Sequence, residues 1–203
     1  MAGKIKALFA TMLYQDRLDD AAFVAELEDA CRALATEDAA GRRWSKAHSY
    51  RGYTSYASLN DLPAREPRLA ELKRRLAPHV AAFAEACALD LGGRRLKLDS
   101  LWVNLLRPGG SHGGHIHPHS VISGTVYVAV PPGAGALKLE DPRLPMMMAA
   151  PSRRPDAPEP LRSFVTVQPA AGTILLWESW LRHEVTAGRG TGERISISFN
   201  YRS

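Results

Sequence analysis

Cysteine is scarce: the 203-residue chain holds two, Cys31 and Cys87, both in helix-like stretches and without CxxC spacing. That excludes a disulfide framework and suits a reducing compartment, so the cytoplasm is the expected location. Long apolar runs are missing as well. No window approaches the roughly 18 uncharged apolar residues of a membrane span, and residues 1–10 carry Lys4 and Lys6 but no long apolar run, which disfavours secretion and membrane insertion. There is no repeat, no low-complexity tail and no basic block. The 26 basic residues are scattered among 21 acidic ones, and Arg42-Arg43, Arg74-Arg75, Arg94-Arg95 and Arg153-Arg154 are short, separate pairs with no stacking aromatics between them. Nucleic acid is therefore not the expected partner. An anionic small molecule suits the net charge of +5, and the chain is compatible with a homodimer.

What is present suffices for one sizeable core, with 45% hydrophobic and 23% charged residues. A single domain over 1–203 is expected, with 1–93 as a helical and loop preface and 94–203 as a β core. Ile5 to Leu13 is apolar enough for a first strand. Asp19-Asp20 then precede Phe23, Leu27, Cys31 and Leu34 at helical spacing. Residues 41–63 show neither period and read as an aromatic-rich loop. A second helix begins near Glu66, meets Pro78, resumes through Val80, Phe83 and Cys87, and stops at Gly92-Gly93.

After Gly93 the period changes to short strands punctuated by turns: 96–106, 115–119, 121–130, 136–140, 164–168, 173–177, 181–186 and 194–200. Eight such strands suit a jelly roll, mainly β, with the helices packed on one sheet. The one long connection, 141–163, contains six prolines and Met146 to Met148; its length marks it as a lid or a disordered segment.

Three of the seven histidines fall at alternate positions in HIHPH, residues 115–119. On an extended segment His115 and His117 share a face, and His183, near the start of a late strand, can supply a third imidazole, because a jelly roll sets early and late strands side by side. Three imidazoles with an open position form a known catalytic metal set. His119 falls on the same side by alternation, subject to Pro118; His112 reads as a solvent-facing residue of a Gly-rich turn. Eleven residues after His183, Arg194 shares a face of the last strand with Ser196 and Ser198. Its planar fork fits a carboxylate, which makes a surface arginine and a dicarboxylate anchor the two open readings.

HIHPHSVISGTVYV, LEDPR, PAAGTILLWESWLRHEV and ERISISFN, in this order, resemble the signature of small bacterial iron(II)/2-oxoglutarate oxygenases, HxHP, SGxYYV, DPR, PSWLxH and RxSxSFN. LFATMLY near the start is similar to that group's opening. Val126 stands in place of the first tyrosine and Glu178 in place of the proline. The resemblance implies a double-stranded β-helix (a cupin-like jelly roll) that uses Fe(II), 2-oxoglutarate and dioxygen, releases succinate and carbon dioxide, and hydroxylates a small or amino-acid-like molecule. Residue by residue, it implies His115 and His183 on the metal and Arg194 on the far carboxylate of 2-oxoglutarate, and the alternation of the strand adds His117 as the third expected ligand. Ser196, Tyr127 and Asn104 are implied as cosubstrate neighbours. His117 departs from the aspartate usual in the wider superfamily, and a neutral imidazole there leaves Fe(II) one positive charge richer. Two readings outside the resemblance are a three-histidine zinc hydrolase or cupin-like dioxygenase without a keto acid, and a non-catalytic β-sandwich binding module.

Overall fold

The computed structural model describes residues 3–143, 146–149 and 151–203. In chain order its elements are β1 (Leu13–Arg17), α1 (Ala21–Glu37), α2 (Ala39–Ala47), β2 (Gly52–Thr54), α3 (Leu62–Arg65), α4 (Pro67–Ala86), β3 (Lys97–Leu106), β4 (His112–His115), β5 (Ile122–Ala129), β6 (Leu137–Glu140), α5 (Met146–Ala149), β7 (Phe164–Val167), β8 (Thr173–Glu178), β9 (His183–Val185) and β10 (Arg194–Arg202). The strands form a six-stranded sheet, β1-β8-β5-β10-β3-β2, and a four-stranded sheet, β4-β9-β6-β7. All paired strands run antiparallel.

Alternation along the large sheet divides the interior in two. Leu101, Val103, Val126, Ile174, Leu176, Ile195, Ile197 and Phe199 point to one side, where they pack with Phe23, Leu27 and Cys31 of α1 and Leu69, Leu72, Leu76, Val80 and Phe83 of α4. Residues of opposite parity, Tyr127, Leu175 and Trp177, meet Leu137, Leu139 and Leu181 between the sheets. The helices therefore cover one face of the large sheet, as the periodicity requires. No helix among the described residues is long and apolar enough to cross a membrane.

Four expectations from sequence need correction. The first strand lies at 13–17, not 5–13: Ile5, Leu8 and Phe9 are exposed, and it is Leu13 to Arg17 that find partners along β8. An apolar run becomes a strand only where an edge is free to receive it. Residues 41–63 are not one loop but complete α2, form β2 and enter α3. Asp38 accepts a hydrogen bond from Gly41 N–H and caps α2, whose buried positions are only Gly41 and Ser45, so no apolar stripe announces the helix. A side chain at Gly41 would collide with Asp38 and Tyr53, which explains a glycine inside so short a helix. Pro78 does not interrupt α4; it lies exposed, where water can satisfy the carbonyl it leaves free. The second strand of the β core is 112–115 rather than 115–119: Pro118 and a left-handed His119, with φ of 69°, turn the chain out of the sheet. Positions 144, 145 and 150 of the 142–163 segment lie outside the described residues.

Candidate metal centre and anion pocket

Between the sheets opens a cavity of about 700 Å³ whose lining includes His112, His115, His117, His183, Arg194, Ser196, Tyr127 and Asn104. Strand register brings the first imidazoles together, since His115 on β4 is the direct partner of His183 on β9. His117 arrives differently from the i, i+2 expectation. It stands in the turn after β4, fixed by its N–H donating to Ser179 O at 3.0 Å. One nitrogen from each of the three rings lies within 4.8 Å of the others.

Two of the rings have an assignable tautomer. His115 Nδ1 is 2.7 Å from Gly113 O and His183 Nδ1 is 2.8 Å from Leu181 O; a carbonyl only accepts, so each Nδ1 carries the proton and each Nε2 keeps its lone pair. Trp177 packs edge-on against His183 at 4.7 Å between centroids, and Trp102 flanks His117 at 5.7 Å. Burial, followed by the neighbouring imidazoles, pushes His183 down to about 3 despite the opposing bond to Leu181; burial and His115 push His117 down to about 4. These rings are lone-pair donors at neutral pH, the form a metal requires.

The sign of the resulting pH effect is fixed. Imidazoles in the unfolded chain take up protons below about 6.5, whereas folded His183 and His117 resist until about 3 and about 4, so the unfolded state binds more protons in that window. Metal-free protein should keep this stability above about pH 6.5 and lose it as pH falls toward about 4. Calorimetric melting of the apo protein across that range checks it, and a flat melting temperature would contradict neutral rings.

The same cavity is also built to hold an anion. Arg194 is 4% exposed, lies over the Tyr127 ring at 4.8 Å, and its Nε and Nη1 have no hydrogen-bond partner. Tyr127 Oη, Thr125 Oγ1 and Trp177 Nε1 are likewise buried without partners. A guanidinium stays protonated, and burying one unpaired is costly, so the Arg194 fork with the orphaned Tyr127 hydroxyl on the ring beneath it describes a receptor for a carboxylate. Burial raises the Tyr127 pKa against the pull of Arg194, which keeps the phenol a donor.

Asn104 lines the cavity as expected, with Oδ1 accepting from Thr54 Oγ1 at 2.8 Å and Nδ2 donating to Ser198 Oγ at 3.2 Å, bonds that fix its amide in the wall. Not every sequence expectation survives. His119 is exposed and outside the cavity. His112, expected in solvent, instead lines the cavity with its Nε2 2.6 Å from Tyr50 Oη. Thr125 and Trp177 were not singled out from sequence. Thr125 could have been found by the two-residue period from Tyr127, whereas nothing local marks Tyr50 or Trp177 as cavity residues.

Residues 100–200 match a family described as 2OG-Fe(II) oxygenase. No curated protein matches the sequence significantly. Among solved structures, a prolyl-4-hydroxylase from Pseudomonas putida is similar over 95% of this chain and 92% of its own, at 16% identity and a TM-score of 0.60. The non-heme alpha ketoglutarate dependent epimerase SnoN from nogalamycin biosynthesis is similar over 95% and 79%, at 19% identity and a TM-score of 0.64. HygX from Streptomyces hygroscopicus, solved with nickel and 2-oxoglutarate bound, matches over 95% and 82%, at 16% identity and a TM-score of 0.59. At such identities the likeness establishes the fold, a double-stranded β-helix.

Proposed function

Because the chain belongs to the 2OG-Fe(II) oxygenase family, which requires Fe(II), 2-oxoglutarate and dioxygen, we propose that His115, His117 and His183 hold the iron and Arg194 anchors the far carboxylate of 2-oxoglutarate. The observation that carries this reading is the pairing, in one cavity, of three convergent imidazole nitrogens with a buried guanidinium that has two free N–H groups. A three-histidine site that ignored the keto acid would leave Arg194 buried without purpose. Fe(II) with the keto acid and dioxygen supplies oxidative decarboxylation to succinate and carbon dioxide, together with the oxidising power that acts on the substrate.

The chain's own residues supply position and charge. Carbonyls of Gly113 and Leu181 hold His115 and His183 with Nε2 free as ligand. Tyr127 Oη adds a donor beside the Arg194 fork, and Ser196 lies next to both on the sheet, as the register partner of Tyr127. Trp177 and Leu137 line the cavity with apolar surface that limits water at the reacting centre. Three neutral ligands leave the full dipositive charge on iron, which favours an anionic cosubstrate. The substrate we propose is a small or amino-acid-like molecule, hydroxylated at a carbon held beside the metal. Protein loaded with Fe(II) should release succinate from 2-oxoglutarate on exposure to oxygen, with iron at one per chain by metal analysis. Bound metal with no succinate would favour the three-histidine enzyme without a keto acid, and no bound metal would favour a binding module.

A further inference from the structure

One side chain in the cavity has no role in the set above. The turn at 107–111 carries the chain from Leu106, the register partner of Arg194, to His112, the register partner of Val185. His112, Val185 and Arg194 all line the cavity, and His112 lies close enough to feel the Arg194 charge more than any other. His112 Nε2 lies 2.6 Å from Tyr50 Oη, which is also 3.3 Å from Asn104 Oδ1. That carbonyl oxygen already accepts from Thr54 Oγ1 at 2.8 Å. A phenol has one proton to give, and the shorter contact directs it to His112 Nε2. Burial raises the Tyr50 pKa, so the proton stays on the phenol, and burial followed by the nearby Arg194 charge pushes His112 down to about 3. A neutral ring that accepts at Nε2 carries its own proton on Nδ1. Among the described residues Nδ1 has no hydrogen-bond partner.

We propose that His112 is a further cosubstrate-binding residue, donating from Nδ1 to the carboxylate held by Arg194, with Tyr50 as the positioning residue that fixes this tautomer. The proposal rests on the reading of Arg194 as the carboxylate anchor. A carboxylate offers about four lone-pair sites, and the Arg194 fork fills two. Two other orphans of the cavity lining, Tyr127 Oη and Thr125 Oγ1, are also neutral groups able to donate. A neutral imidazole N–H extends the receptor without placing a second cation beside Arg194, which would repel it before the ligand arrives. The opposite tautomer would present a lone pair to the carboxylate. Tyr50 therefore decides whether His112 attracts the ligand or repels it.

The test compares 2-oxoglutarate with 2-oxopentanoate, which keeps the keto acid and lacks the far carboxylate. Both are titrated calorimetrically into Fe(II)-loaded protein without oxygen. His112→Phe should weaken 2-oxoglutarate binding about tenfold or more, the loss of a hydrogen bond to a charged group, and leave 2-oxopentanoate within about twofold. His112→Asn keeps an N–H donor and should recover most of the loss. Tyr50→Phe should weaken 2-oxoglutarate alone, by less than His112→Phe. Unchanged 2-oxoglutarate affinity in His112→Phe overturns the proposal, and so does equal weakening of both acids, which would assign the ring to support of the metal site. Arg194→Met, run alongside, separates the layers: if it too fails to discriminate the two acids, the anchor reading itself falls.

Discussion

His183→Ala should yield a folded protein that no longer retains iron and releases no succinate. His183 is the buried member of the triad and the one whose lone pair is directed by both a backbone carbonyl and a packed indole. Its removal leaves His115 and His117, which cannot enclose an ion alone, and ligand loss of this kind removes the metal rather than weakening it by a small factor. The fold should persist because both apolar cores lie outside the triad. Metal analysis of the purified variant beside a circular dichroism melt is sufficient. Stoichiometric iron in a folded variant would remove His183 from the centre.

Arg194→Met should separate affinity from stability. Hydrogen bonds to a charged group contribute about 1.5 to 3 kcal/mol, so 2-oxoglutarate should bind roughly 10- to 150-fold more weakly. The ligand-free variant should melt no lower than the parent, and higher where methionine packs well, because it no longer buries a cation with two unsatisfied N–H groups. A titration and a thermal melt on the same preparation give both numbers. Unchanged affinity would reject the anchor role; a sharp fall in the melting temperature would show that the guanidinium supports the fold through contacts other than hydrogen bonds.

What sequence could convey depended on whether a residue's environment was local. Phe23, Leu27 and Cys31, and the alternation of Arg194, Ser196 and Ser198, each follow from a period within one element, and each falls on the face that period assigns. The convergence of position 115 with 183 followed from the general geometry of a jelly roll. His117 meets them by another route, because a proline and a left-handed residue end the strand first. α2 and β2 were missed because a nine-residue helix whose asymmetry comes from Arg42, Arg43 and Lys46 rather than from a stripe of large apolar residues, and a three-residue edge strand, give an apolar period nothing to register. His112 was misplaced for a related reason: its surroundings, Tyr50 and Asn104, come from chain 62 and 8 residues away, and no window along the sequence contains that neighbourhood.

The two-sided sheet has a consequence for how this protein can change. Along β10, Ile195, Ile197 and Phe199 are committed to the helices while Arg194, Ser196 and Ser198 face the cavity. Neighbouring codons thus answer to different selective pressures, one set guarding the scaffold and the other free to explore new ligands. A library that randomises only every second position would sample altered chemistries on an intact framework.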